Sequence, residues 1–304
     1  MLRLSAILCL LAASTNVLAD DTPHSHKQIT LPQAPSISRL KVDYAQPQDV
    51  AVDSKGNVVV ADSRAGVVFR TSPDGVTVVL ANRLDQPVRV QVDEETGDTF
   101  VITAAQGRTN AGCIYRVSPQ GERETIHESL TAPVDFLRTD LDDTIVALKK
   151  DQILRLNPEG QRELLCDQVK SPTALARGVD GELFVANRSG SVFQLLANGR
   201  IRELANGLKS PTDLSIAPDG RLIVADREAK QLTVIEKGGE VRVYAKVPRG
   251  TIAVAFSKSG NMVIGNRDLQ SVTRVTSHLQ VPCPHCDKSI PVLLKRPKPP
   301  TNSF

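Results

Sequence analysis

Residues 210–227 read SPTDLSIAPDGRLIVADR. The phrase opens on a Ser-Pro turn, passes through a short apolar stretch and reverses at Pro218-Asp219-Gly220. It then rises into a second apolar run that ends in Ala225-Asp226-Arg227. Proline presets the first turn and Asp-Gly supplies the tight reversal, so the phrase predicts two antiparallel strands joined by a hairpin. Versions of it recur along the chain, with turn prolines at Pro47, Pro87, Pro133, Pro172 and Pro211 and Gly250 in the sixth place. The steps are 40, 46, 39, 39 and 39 residues. A period near forty with several short strands per unit is the sequence mark of a propeller blade.

In the fifth unit four strands are expected, at 213–217, 221–225, 231–235 and 240–245. Turn residues separate them, as hairpins require. The sixth unit offers only three strands, at 252–257, 261–265 and 271–275. Its missing outer strand has a counterpart at the other end of the domain. Residues 40–45 (LKVDYA) precede Pro47 much as 241–245 (VRVYA) precede Gly250. The expected fold is therefore all-β, a six-bladed β-propeller of four-stranded antiparallel blades over residues 37–280. The N-terminal strand completes the last blade and closes the ring, which leaves no open sheet edge between first and last blade.

Composition agrees. Of 304 residues 40% are hydrophobic but only 3% aromatic, with no Trp. The core must be built from Val, Ile, Leu and Ala, residues that favour strands packed face to face. Residues 1–19 carry a basic start at Arg3, an apolar run at 4–13 and Val17-Leu18-Ala19 before Asp20, the pattern of a cleaved secretory signal. Cys9 follows Leu8 rather than the small residue that a lipoprotein cleavage site would place there. The expected location is thus outside the cytoplasm, periplasmic or extracellular, with no transmembrane segment, because the apolar run is too short to span a bilayer. Loss of Arg3 lowers the formal net charge from +3 to +2, which makes no general case for nucleic acid. Residues 20–36 form a polar, proline-punctuated linker, in which His24 and His26 read as solvated rather than metal-binding.

Repeats of the form P-x-D-h-x-h-x-x-x-G-x-h-h-h-A-D resemble the NHL and SMP-30/gluconolactonase group of six-bladed propellers. The resemblance covers about residues 37–280. It implies the fold but no single activity, since such propellers include enzymes, sensors and binding modules.

Antiparallel alternation puts the start of each innermost strand and the loop after each second strand on one face. Two residues past each turn proline stand Asp49, Arg89, Asp135, Ala174 and Asp213, with Ile252 in the sixth place. Three carboxylates on alternate blades can surround a cation or polar ligand; alternatively each accepts hydrogen bonds from its own turn. In the loops after the second strands come Arg64, Arg188, Arg227 and Arg267, with Lys149-Lys150 in the third unit and Arg108 in an insertion of the second. A cation on every blade can hold an anionic small molecule or a protein segment, Arg giving bidentate contacts to carboxylate or phosphate. The other reading pairs each Arg with a nearby Asp.

The lactonases that the chain resembles use a divalent metal held by a Glu near the first blade, by Asn or Asp at later channel positions and by a Pro-Asn-Gly turn. Here Gln48, Val88, Val134, Thr173 and Thr212 follow the turn prolines, Thr251 follows Gly250, and no Pro-Asn-Gly occurs. Valine supplies no ligand oxygen. A divalent cation such as calcium or zinc would need a divergent site on Asp49, Asp135 and Asp213. His127 and His278 lie away from the channel, where the His-dependent propeller lyases would need a base. No residue is assigned a catalytic role.

Cys113 and Cys166 fall in predicted strands as small apolar fillers. Residues 281–304 make a basic, Pro-rich tail containing Cys283-Pro284-His285-Cys286. That sequence resembles a disulfide-oxidase dipeptide or half a zinc ribbon; a local disulfide, or a metal shared by two chains, suits an exported protein equally. The expected function is a non-catalytic binding or scaffolding module for a protein segment or anionic ligand. The alternative is a lactonase-like hydrolase.

Overall fold

Val58-Val59-Val60-Ala61-Asp62 is apolar at almost every position, and in the structure every one of these residues is buried. A strand covered on both faces needs that continuous pattern rather than strict alternation. The second strands at Thr99–Thr103, Thr144–Leu148 and Leu222–Asp226 are buried throughout in the same way. Each is sandwiched because its blade packs between two others.

The computed structural model describes residues 36–104, 111–236 and 238–276, with short strands at Gln280–Pro282 and Ser289–Pro291. Residues 37–275 form one compact unit of six four-stranded sheets. Innermost strands are Pro47–Val52, Pro87–Val92, Pro133–Arg138, Pro172–Arg177, Pro211–Ile216 and Thr251–Phe256. Within each of the first five blades the strands pair antiparallel in chain order. The described residues contain no helix, and therefore none long and apolar enough to cross a membrane.

Six apolar clusters sit between the sheets, one at each interface. Val59, Val90 and Val101 join blades 1 and 2, for example, and Val50, Val60, Ala253 and Val272 join blades 6 and 1. The last of these makes the ring continuous. Full burial of a Val side chain contributes roughly 1.5–3 kcal/mol, so the blade interfaces hold the ring together.

The closing strand lies earlier than the sequence predicts. Ser36–Arg39, not 40–45, pairs with the third strand of blade 6. Residues 40–45 run along the blade 6–1 seam instead, with Leu40 and Tyr44 buried in its cluster and Lys41 and Asp43 exposed. The amides of Ala45 and Gln46 are drawn to the Asp62 carboxylate at 2.7 and 2.9 Å. The sixth repeat is also displaced by one residue. Thr251 pairs with Asn266 as Pro211 pairs with Asp226, so Thr251 holds the proline place and Ala253, not Ile252, the channel position. Gly250 is the equivalent of Gln86, Ala132 and Ser171, each with positive φ before the inner strand. At φ 84° an added Cβ would lie 2.4 Å from the Asp268 side chain, so glycine suits both the turn and the close approach.

The segment beyond 275 belongs to a separate unit. Gln280–Pro282 and Ser289–Pro291 form a two-stranded antiparallel ladder, within or next to what the sequence reads as a basic, Pro-rich tail. Cys283 and Cys286 fall between those strands and, like Cys9, His278 and the signal and linker residues, lie outside the described residues. Cys166 is buried and Cys113 half-buried, both free and both in strands as expected.

Candidate binding site at the channel mouth

The six channel positions are Asp49, Arg89, Asp135, Ala174, Asp213 and Ala253. Their alternation builds a hub. The Asp49 carboxylate accepts the Val90 amide at 2.9 Å, Asp135 that of Leu175 at 2.7 Å and Asp213 that of Val254 at 2.8 Å. Each carboxylate thus clasps the innermost strand of the following blade, and Asp135 also accepts from its neighbour Phe136 at 2.8 Å.

Arg89 fills the space that the two alanines leave. Its Nη1 stands 3.3 Å from Asp49 and 3.3 Å from Asp213, and its Nε 3.5 Å from Asp135. Nη2 donates to the Thr212 carbonyl at 2.7 Å and the Thr173 carbonyl at 3.2 Å. Nη1 and Nη2 therefore donate to four protein acceptors, and Nε faces the Asp135 carboxylate as an ion pair. Arg89 and the three aspartates are each only 6–7% exposed. Burial works against the Arg89 charge, but Asp135, Asp213 and Asp49 together hold its pKa above the ordinary guanidinium value.

The carboxylates move the other way. Burial pushes Asp49 up to about 6, with Arg89 opposing the shift. Burial likewise raises Asp135, and lifts Asp213 well above the ordinary carboxylate range, again against Arg89. With one guanidinium for three carboxylates, a fully ionised hub would carry excess negative charge in a sealed site. A guanidinium stands where a metal ion shared by Asp49, Asp135 and Asp213 would have to sit. These residues do not fit the divalent site that the lactonase alternative requires.

Above the hub opens a cavity of about 850 Å³. Its inner ring takes one residue from each blade, Gln48, Val88, Val134, Thr173, Thr212 and Ile252, with Arg89 as floor. Its rim carries Lys149, Arg188, Arg227 and Arg267, joined by Lys209. Inner-strand starts and second-to-third-strand loops do share this face. Glu228 is the one acidic residue among the described residues that line it.

Backbone pairing shows why these cations align. The amides of Lys149, Arg188, Arg227 and Arg267 each donate to the carbonyl of the residue before their own blade's inner strand, Ala132, Ser171, Ser210 and Gly250. Ser63 and Ala104 make the same bond in blades 1 and 2. Among the described residues the cations in this slot therefore form a crescent over blades 3 to 6. Arg64 lies one residue past the slot, is exposed and does not line the cavity. Ser63 takes its place and accepts from the Gln48 side chain at 3.2 Å. Arg108 lies outside the described residues.

The Asp or Asn before each of the three rim arginines is structural. The Asp226 carboxylate accepts the amides of Lys209 and Ser210, both at 2.9 Å, and the Asn266 side chain donates to the Arg249 carbonyl at 2.9 Å. These side chains are committed to holding their turns, so they do not neutralise the cation beside them. Arg227 and Arg267 share Asp268 at 3.7 and 3.9 Å, loose contacts at a partly exposed rim. Lys149, Arg188 and Lys209 have no carboxylate within 4 Å among the described residues. Sequence reasoning misses Lys209, because it lies in a connection outside the repeated phrase; its only signal is adjacency to Ser210-Pro211. His127 sits in an outer strand, buried against Thr144, and burial lowers its pKa.

Residues 44–67, the first blade's opening phrase, match the NHL repeat. No curated protein matches the sequence as a whole. Among solved structures, a gluconolactonase from Xanthomonas campestris superposes with a TM-score of 0.68 at 15% identity, covering 80% of this chain and 89% of that one. A virginiamycin B lyase from Staphylococcus aureus gives 0.55 at 13% identity, covering 80% and 98%. A chain of the nidogen/laminin complex gives 0.59 at 16%, covering 67% and 81%. At these identities the likeness to a lactonase, a lyase and a member of a protein complex is one of fold alone.

Proposed function

We propose that the protein is an exported, non-catalytic propeller that binds an anionic ligand or an acidic protein segment at its cationic mouth. The observation that carries this reading is the crescent of Lys149, Arg188, Arg227 and Arg267 over a floor sealed by Arg89. Convergent cations above a low-dielectric floor focus the field and draw anions toward the cavity. The basic, apolar and small-residue succession at 1–19 supports export.

The hydrolase alternative finds no support at the hub. Asp49, Asp135 and Asp213 hold backbone amides and Arg89, and none of them lines the mouth. Titration calorimetry with citrate and with an acidic peptide, on the wild type and on Arg188→Ser/Arg227→Ser, tests the reading. Salt-sensitive binding that the double variant weakens by about tenfold or more supports it. No binding of either probe at low ionic strength, or hydrolysis of a lactone panel dependent on added divalent metal, refutes it.

A further inference from the structure

We infer that the mouth takes an extended, acidic segment of a partner protein rather than a compact anion, with its carboxylates along blades 3 to 6. This rests on the anionic-ligand reading above and specifies the ligand's shape. A compact polyanion would be expected on the channel axis, held by donors converging from all sides. The axis offers only the Arg89 guanidinium, whose Nη1 and Nη2 donate to Asp49, Asp213 and the carbonyls of Thr173 and Thr212 while its Nε faces Asp135. Among the described residues the available cations lie off the axis and on one side. Blades 1 and 2 place Ser63 and Ala104 where the others place Lys or Arg.

The cationic surface also continues outward. A second cavity of about 290 Å³ is lined by Arg227, Glu228, Lys230 and Arg249, and it shares Arg227 and Glu228 with the mouth. The track thus runs from Lys149 through Arg188 and Arg227 to Lys230 and Arg249, with Glu228 as its one lining acid among the described residues. In an extended chain, alternate side chains fall on the same side about 7 Å apart, so carboxylates at every second residue can meet cations spaced along an arc. Side chains between them meet Val88, Val134 and Ile252 on the inner ring. Single-stranded nucleic acid fits less well: among the described residues no aromatic side chain lines either cavity to stack a base.

The test is fluorescence anisotropy on the whole protein with three probes at matched ionic strength. They are a short labelled peptide with glutamate at every second position and leucine or serine between, a labelled oligouridylate, and citrate as competitor. Expected are peptide binding stronger than oligouridylate binding and displacement by citrate only at large excess. Arg188→Ser/Arg227→Ser should weaken the peptide about tenfold and Lys230→Ser/Arg249→Ser about threefold, with Arg64→Ser unchanged. Three results overturn the inference while leaving anion binding intact: citrate matching the peptide, oligouridylate surpassing it, or Lys230→Ser/Arg249→Ser having no effect. If no probe binds, the anionic-ligand reading itself falls.

Discussion

Arg89 and Arg188 are the same side chain in the same cavity, two blades apart, and they do opposite things. Arg89 is buried and stands among three carboxylates and two carbonyls that engage its guanidinium. Arg188 is exposed, has no carboxylate within reach among the described residues, and keeps its fork for something else. Charge and residue type are identical; partners and solvation decide. Removing a buried charge's partner leaves an uncompensated charge in low dielectric, whereas removing a solvated one costs folding almost nothing.

The comparison is broken most sharply at Arg89. Arg89→Met leaves three carboxylates buried without their cation and should lower unfolding free energy by about 3–5 kcal/mol in urea titration, or prevent folding. Stability within about 1 kcal/mol of wild type would show that the hub is not what closes the channel. Next in size is Asp135→Ala, which strips the acceptor from the amides of Leu175 and Phe136. A loss of about 1–3 kcal/mol is expected, with Asp135→Asn recovering part of it because its side-chain oxygen still accepts.

A smaller effect distinguishes the hub by pH. Folding raises the pKa of Asp49 to about 6 and that of Asp213 well above its ordinary value, in both cases mainly through burial. The folded state therefore binds these protons more tightly than the unfolded state. Their ionised forms cost stability above the folded pKa, and that stability is regained as pH falls through it toward the unfolded value of about 4. Asp213→Asn should cost under about 1 kcal/mol near neutral pH and flatten this rise relative to wild type. An unchanged pH profile in the variant would show that Asp213 holds no proton in the folded hub. The smallest effect belongs to the rim: Arg188→Ser/Arg227→Ser should move stability by no more than about 0.5 kcal/mol while weakening anion binding.

Much of this was legible in the sequence. The repeated phrase specifies local turns and strand pattern together, so blade number, strand order and the face shared by Asp49 and Arg188 all follow from it. Where the phrase degrades, placement slips by one residue. Gly250 imitates the proline place because it adjoins Thr251, yet its positive φ belongs to the residue before. Arg64 imitates the rim cation, yet the backbone bond to Gln46 falls on Ser63. A strand repeats its side-chain direction every two residues, so an offset of one changes what a side chain faces. The hub was spelled out as three aspartates and one arginine at equivalent positions. What linear spacing does not carry is radial distance, which in a six-bladed ring brings Arg89 from blade 2 to the carbonyls of blades 4 and 5. Lys209, Lys230 and Arg249 were hidden for a different reason: their connections vary between repeats.

The most direct test of the division between hub and mouth measures both properties on the same pair of variants. Urea unfolding and acidic-peptide anisotropy would be run on Arg89→Met and on Arg188→Ser/Arg227→Ser. The expected result is a crossed one: Arg89→Met loses stability or folding, and the rim variant keeps its stability and loses the peptide. An Arg89→Met protein as stable as wild type that no longer binds the peptide would contradict the account, because it would make Arg89 a ligand residue and not the seal of the channel.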